Sequence, residues 1–395
     1  MFTRQESIMK CGLVGFAAFI LVSGLLIGST TARAAELPTI KIGAIVPYTW
    51  DDPTIALVDK AIKMRIEEWG GKVAGSTIEF IGEDDAGNAV KAVEKAKKLV
   101  EMNKVAAIIG PIPANNALAV ANYTAASKTP QFSIVQMPYA GNKNPGRNVY
   151  SIAGTQQGST KPLGVYAYEL GYRTVAVLHQ DFVAGEELAK GFIDAFEAKG
   201  GKVIQRQKVP VGTMDYAPFV GAIQKADAFV TWLLPQEQLR LNNQYFSAGP
   251  KMPYILLNGA FPAEMLQQTG DKTLGIISVI RWTRFDTSPV NKNFVDTFLK
   301  KYGEYPTTNA VAAYDQMGFL LEALKVTNGD TRPDVLNPAL KKVKLTLGAG
   351  VTQYNEDGVA IGDMSIVKVE KVEGKHAWVP IQKFSQVLYK ADGEK

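Results

Sequence analysis

Few residues of this chain can do covalent chemistry. It has two histidines, His179 and His376, far apart in sequence, and one cysteine, Cys11. Neither histidine has a second one at metal-ligand spacing, and no GxSxG elbow, P-loop or GxGxxG is present. His179 lies near the end of the run RTVAVLHQD, where it either lines a cleft or hydrogen-bonds at a strand edge. Three adjacent carboxylates, Glu83, Asp84 and Asp85, carry charge enough for a cation site. Their setting, EDDAGN between a strand and a helix, reads instead as a solvated turn with Asn88 as the helix N-cap. Arg281 and Arg284 flank Trp282, and either one has the fork geometry to take a ligand carboxylate, or else lies on the surface. These absences point to binding rather than catalysis, with no metal and no cofactor.

The elements around these residues narrow the binding further. In IEFIGEDDAGNAVKAVEKAKKLVEMNKVAAIIGPI, residues 78–112, a strand, an acidic turn, a helix and a second strand lead into the turn GPIPANNA. Open α/β sheets bind ligands beyond the carboxyl ends of their strands, which places this turn at a candidate site. The same alternation runs through the first half. TIKIGAIVP is a strand, and PTIALVDKAIKMRIEEWGG is a helix with Ile55, Val58, Ile62 and Ile66 on one face. In AVKAVEKAKKLVEM the inward face is expected to be Val90, Val93, Ala96 and Val100. VAAIIG and QFSIVQ are further strands. Strands separated by helices imply a parallel sheet covered on both faces.

The pattern restarts after residue 158, with strands at RTVAVLHQD, KVIQRQKVP, DAFVTWLLP and PYILLNG and helices between them, including one over YAPFVGAIQKA. Two helices then follow, NKNFVDTFLKKYG and TNAVAAYDQMGFLLEALKVTNG, before closing strands at MSIVKVEKVEG and HAWVPIQKF. Late helices of this kind are expected to return to the first domain, so that the chain crosses between domains several times. At 395 residues two domains are the natural expectation. A net charge of +5 without a Lys/Arg run gives no footing for nucleic acid.

The N-terminus has a positive region with Arg4 and Lys10, then the apolar run CGLVGFAAFILVSGLLIGS, then Ala32-Arg33-Ala34. That is the pattern of a cleavable export signal over residues 1–34. A retained membrane anchor is the rival reading, and a lipoprotein is disfavoured because Cys11 precedes the apolar run. Cleavage after Ala34 would leave a chain without cysteine, held by its core and not by disulfides, as suits a large periplasmic protein.

Taken in order, IKIGAIVP, the stretch ending in IIGPI, RTVAVLHQDFVAGEELAKGFIDAFEAKGGKV, DAFVTWLLPQEQLRLNNQYFSAG, PYILLNGAF and AAYDQMGFLLEAL resemble the type I periplasmic solute-binding proteins of ABC importers, within the leucine/branched-chain amino-acid-binding family. The resemblance covers nearly the whole chain. It implies an α/β fold of two Rossmann-like lobes with parallel sheets joined by a three-segment hinge, with residues 35–153 and 283–345 in lobe 1 and residues 154–282 and 346–395 in lobe 2. It also implies a periplasmic monomer that is not an enzyme, holds a small solute between its lobes, and hands it to permease and ATPase subunits. Branched-chain amino-acid import, or a ligand-sensing receptor subunit of the same fold, are the alternatives.

By that resemblance the first-lobe contacts fall at Pro113, Ala114 and Asn115 and at Gln136, Met137 and Tyr139. Amino-acid binders place hydroxyls there, and a tyrosine and an acid on the second lobe. Here those second-lobe positions fall near Phe182–Ala184 and near Ala260 and Phe261. An ammonium desolvated without a carboxylate partner costs several kcal/mol. The expected wall is aromatic and amide-rich: Tyr48, Trp50, Trp232, Gln236 and Trp282 join the residues above. It suits an aromatic or other apolar carboxylate better than a plain α-amino acid.

Overall fold

A computed structural model describes residues 37–388, save Asp51, residues 138–146, Ala260 and Pro262. The proposed export signal, Cys11, Tyr139 and Ala260 lie outside the described residues. Among the described residues the strands and helices run in this order. β1 is Ile40–Val46, α1 Ala56–Glu68, β2 Lys72–Val73, β3 Ser76–Asp84, α2 Ala89–Lys97, β4 Ala107–Ile109, α3 Ala114–Ser127, β5 Gln131–Ser133 and β6 Val149–Ser151. Then come α4 Gln156–Glu169, β7 Thr174–Gln180, α5 Val183–Ala198, β8 Lys202–Val209, α6 Ala217–Gly221, β9 Ala228–Trp232, α7 Pro235–Ala248, β10 Tyr254–Leu256, α8 Ala263–Thr269 and β11 Ile277–Ile280. The chain closes with α9 Pro289–Tyr302, α10 Thr308–Val326, α11 Pro333–Lys342, β12 Lys344–Leu347, β13 Gly350–Tyr354, β14 Ala360–Val372 and β15 Lys375–Leu388.

Two sheets result, one for each lobe. The first has the order β2-β3-β1-β4-β5-β6 and is parallel apart from the short β2–β3 hairpin. The second runs β12-β13-β14-β11-β10-β9-β7-β8, with β15 on β14; β7 to β11 are parallel and the late strands antiparallel. The antiparallel strands need no covering crossover helix, so the closing β14–β15 hairpin extends the sheet cheaply. β12 straddles the expected boundary at residues 345/346, and all four of its residues pair with β13.

Helix α1 buries Ile55, Val58, Ile62 and Ile66 as its periodicity predicts. Helix α2, continued by a π-helical turn over Lys98–Met102, keeps only Ala96 of its expected face buried. Val90 is 68% exposed, Val93 and Val100 are half-buried, and the buried positions are Ala92, Ala96 and Leu99. The small alanines let the helix lie close, and Leu99 fills the space over Gly43, where a Cβ would stand 2.8 Å from its Cδ1. Asn88 caps α2 as expected, accepting from the Val90 and Lys91 N–H groups. QFSIVQ is strand only over β5, and YAPFVGAIQKA is helical only over α6. Helices α9 and α10 pack Phe294, Phe298, Ala310 and Val311 against Leu57, Ala61 and Met64 of α1, so the late helices return to the first sheet's side.

The second lobe is held by a close crossing of α4 on α5. A Cβ on Gly191 would fall 2.0 Å from the Gln157 carbonyl oxygen, and one on Gly164 would fall 2.3 Å from that of Phe192. Only glycines permit that approach.

Candidate functional site

Several of the expected residues stand at or just past the carboxyl ends of the parallel strands, and others do not. At the end of β4 the chain turns through Gly110 (φ 102°), pressed against β1 so closely that a Cβ would meet the Ile45 carbonyl oxygen at 2.2 Å. Pro113 is the N-cap of α3, and no side chain caps that helix. The first turn of α3 therefore carries backbone N–H groups and the positive end of the helix dipole to the edge of the sheet. Asn115 is exposed there, whereas Asn116 is fully buried, donating to Asp85 Oδ2 at 2.8 Å. The acidic turn is spoken for: Glu83 pairs with Lys95 and Lys98, Asp84 accepts from the Ala86 N–H, and Asp85 accepts from Gly87 and Asn116.

After β5, the Ser133 hydroxyl donates to the Val135 carbonyl (2.8 Å), and the Met137 N–H donates to the Gly154 carbonyl (3.2 Å). Met137 is fully buried. Between these fixed points Gln136 is half-buried and makes two hydrogen bonds to Asn258, which follows β10. Asn258 has φ 58°, a conformation asparagine tolerates better than most residues. The expected residues on this loop are Ala260 and Phe261 and do not include Asn258; the Asn-Gly pair just past the apolar run YILL is the sequence signal that marks it.

On the second lobe, Phe182 stands at the N-cap of α5, again without a side-chain cap. Its ring lies 5.8 Å from that of Trp232, at the end of β9. Trp232 is 7% exposed, and its indole N–H is buried without a hydrogen-bond partner among the described residues. A buried unpaired donor costs about 1–3 kcal/mol. The loops bearing these rings are fixed by Gln180. Its Nε2 donates to Glu237 (2.9 Å) and to the Val209 and Pro210 carbonyls, while its Oε1 accepts from the Leu234 N–H. Burial raises the Glu237 carboxyl, but hydrogen bonds from Gly212, Tyr216 and Gln180 outweigh it and hold the group below its ordinary range. This network is a second feature the sequence reading missed.

His179 is fully buried one strand away from Trp232. Its Nε2 accepts from Arg206 Nε at 2.8 Å, and its Nδ1 lies 3.0 Å from the Gln180 carbonyl, the pattern of a neutral ring. Burial pushes its pKa down.

Other expected residues fall elsewhere. Tyr48 is committed to its own lobe: its hydroxyl donates to Asp59 at 2.6 Å, and a Cβ on Gly82 would meet that hydroxyl at 2.5 Å. Trp50, 44% exposed, lies over Gly87 at the rim. Gln236 is exposed on the first turn of α7. Phe261 is 1% exposed inside the second lobe's core, where its carbonyl accepts from the Trp378 indole. Trp282 is core as well, packed with Leu57, Met64 and Phe294 and donating to Asn291 Oδ1 at 2.5 Å. Phe261 and Trp282 thus fill apolar space behind the walls. Arg281 is paired with the buried Asp315 at 2.5 Å, and Arg284 stacks on Phe285 and Tyr305, so neither guanidinium is offered to the cleft. A cavity of about 190 Å³ lies off the cleft, lined by Arg65, Glu68, Phe294, Tyr314 and Asp315 among others. None of the expected site residues borders it.

With the two sheets and the facing strand ends in place, comparison with known proteins gives the class. A sequence profile described as periplasmic binding protein matches residues 39–375, and the chain belongs to that family. A Leu/Ile/Val-binding protein homolog 6 from Brucella suis is 26% identical over 328 residues, covering 78% of this chain and 82% of the relative. Two solved structures of ABC-transporter solute-binding proteins are similar as well. One, from Rhodopseudomonas palustris BisB5 in complex with 3,4-dihydroxybenzoic acid, is 29% identical with a TM-score of 0.77, covering 88% of this chain and 98% of that one. The other, from R. palustris HaA2 in complex with p-hydroxybenzoic acid, is 28% identical with a TM-score of 0.77 and the same coverage. These relatives are solute-binding proteins and not enzymes. The family implies a periplasmic location, and among the described residues no helix is long and apolar enough to cross a membrane.

Proposed function

We propose that this protein captures an aromatic carboxylate of the benzoate and hydroxybenzoate class between its lobes. As a monomer in the periplasm, it then presents the solute to the permease and ATPase of an ABC importer. The observation that carries this reading is the Phe182–Trp232 wall with its unpartnered indole N–H. A flat ring stacks on such a wall, and a ligand oxygen satisfies the donor. The uncapped first turn of α3 supplies N–H groups and a positive dipole end suited to a carboxylate. The R. palustris structures, solved with hydroxylated benzoic acids, support the same class. Branched-chain amino-acid binding is the second reading, favoured by the name of the Brucella relative. Against it stands the acid position of amino-acid binders, which falls here near Ala260 and Phe261.

A thermal-shift screen followed by calorimetry tests the proposal, with benzoate, 4-hydroxybenzoate and 3,4-dihydroxybenzoate set against leucine and valine. A ligand at 100 times its dissociation constant stabilises the folded state by about 2.7 kcal/mol. Stabilisation by leucine or valine alone overturns the ligand class and leaves the family intact.

A further inference from the structure

The half-buried carboxamides of Gln136 and Asn258 form a closed ring of two hydrogen bonds. Gln136 Nε2 donates to Asn258 Oδ1 at 2.9 Å, and Asn258 Nδ2 donates to Gln136 Oε1 at 2.6 Å. The partners are 122 residues apart and stand at the ends of strands in different sheets, β5 and β10. Each is mounted on a fixed base. Gln136 precedes Met137, which is fully buried and bonded to Gly154, while the Ser133 hydroxyl binds the Val135 carbonyl. Asn258 follows Leu257, also fully buried, and its left-handed backbone sets the direction of its amide. Neither arm has to be ordered when the ring forms, so little entropy opposes it. Both bonds need only the protein, and both require the lobes to be near one another.

We infer that the Gln136–Asn258 pair is a latch that holds the two lobes together independently of solute. A solute shifts an opening equilibrium only by its differential affinity for the two states. A latch that already favours closure lowers the differential affinity the solute has to supply. Each carboxamide keeps one N–H and one lone pair outside the ring, so the latch leaves polar capacity facing the cleft.

The test reads lobe separation with no solute present, and so is independent of the proposed ligand. Cys11 is the only cysteine, and Cys11→Ser removes it. Lys91→Cys and Met214→Cys then carry nitroxide labels on exposed positions at the two rims. Dipolar distances are measured on protein stripped of solute in urea and returned to buffer. The parent is expected to show a short-distance, closed population. Gln136→Ala should lower the closed-to-open ratio about five- to thirty-fold, the equivalent of one to two net hydrogen bonds. Asn258→Asp keeps the backbone preference and one of the two bonds, and should fall between parent and Gln136→Ala. The double variant should match Gln136→Ala alone, because loss of either partner breaks the ring. Melting temperatures within a few degrees of the parent confirm that the variants fold. Two results would overturn the inference: a parent that is wholly open without solute, or variants with an unchanged distance distribution.

Discussion

Replacing Trp232 with phenylalanine separates its two possible roles. In the ligand-free chain two effects of Trp232→Phe oppose each other. Removing the orphaned indole N–H relieves about 1–3 kcal/mol. Losing the pyrrole edge of a ring only 7% exposed forfeits about two methylene equivalents of burial, roughly 1.6 kcal/mol. Net stability should therefore move by no more than about 1–1.5 kcal/mol. Binding should respond differently. If the indole donates to a charged ligand oxygen, the lost bond is worth about 1.5–3 kcal/mol, or roughly 10- to 150-fold in affinity. The assay pairs thermal unfolding of the free protein with titration calorimetry against 4-hydroxybenzoate. A stability loss of about 3 kcal/mol or more, with unchanged affinity per folded molecule, would refute the assignment and make Trp232 a plug in the core.

Three further outcomes follow from the geometry. Asp315→Ala should cost about 3–5 kcal/mol in denaturant unfolding, because Arg281, with a side chain 9% exposed, is left without its carboxylate; ligand affinity should not change, and a large loss of affinity would return Arg281 to the site. Burial holds the His179 pKa below its ordinary value, so the unfolded chain takes up a proton that the fold resists. Its contribution is present above the unfolded pKa of about 6.5 and is lost as pH falls through that value toward the folded one; His179→Gln should flatten that part of the stability profile, and an unaltered profile would count against it. Gly191→Ala should destabilise by about 1–3 kcal/mol or more by driving α4 away from α5 at the Gln157 carbonyl, as a shift in urea midpoint would show.

Local pattern explains which of these features were legible in the sequence. A helix or strand has a fixed period, so β-branched runs alternating with amphipathic stretches specify the α/β class. The α1 stripe of Ile55, Val58, Ile62 and Ile66 and the Asn88 cap could be read directly because both depend on residues within a turn or two of each other. The same reasoning misjudged α2. Ala96 goes inward as expected, but Val90 is exposed and Val93 and Val100 are only half-buried; Ala92 and Leu99 take the inward side, which depends on the room that Gly43 in β1 leaves for Leu99. The aromatic candidates were alike in sequence: Trp232 and Trp282 both stand at or just beyond the end of an apolar strand run. Only the packing of α9 and α10 onto α1 encloses Trp282, while Trp232 remains against Phe182 at a strand end. Gln136 and Asn258 lie on separate sheets, and no local pattern couples residues 122 positions apart. The sequence determined the class of fold and where the strands of the parallel sheets end. The tertiary structure decided which side chains reach that place, because burial and pairing there depend on contacts between segments that no single stretch contains.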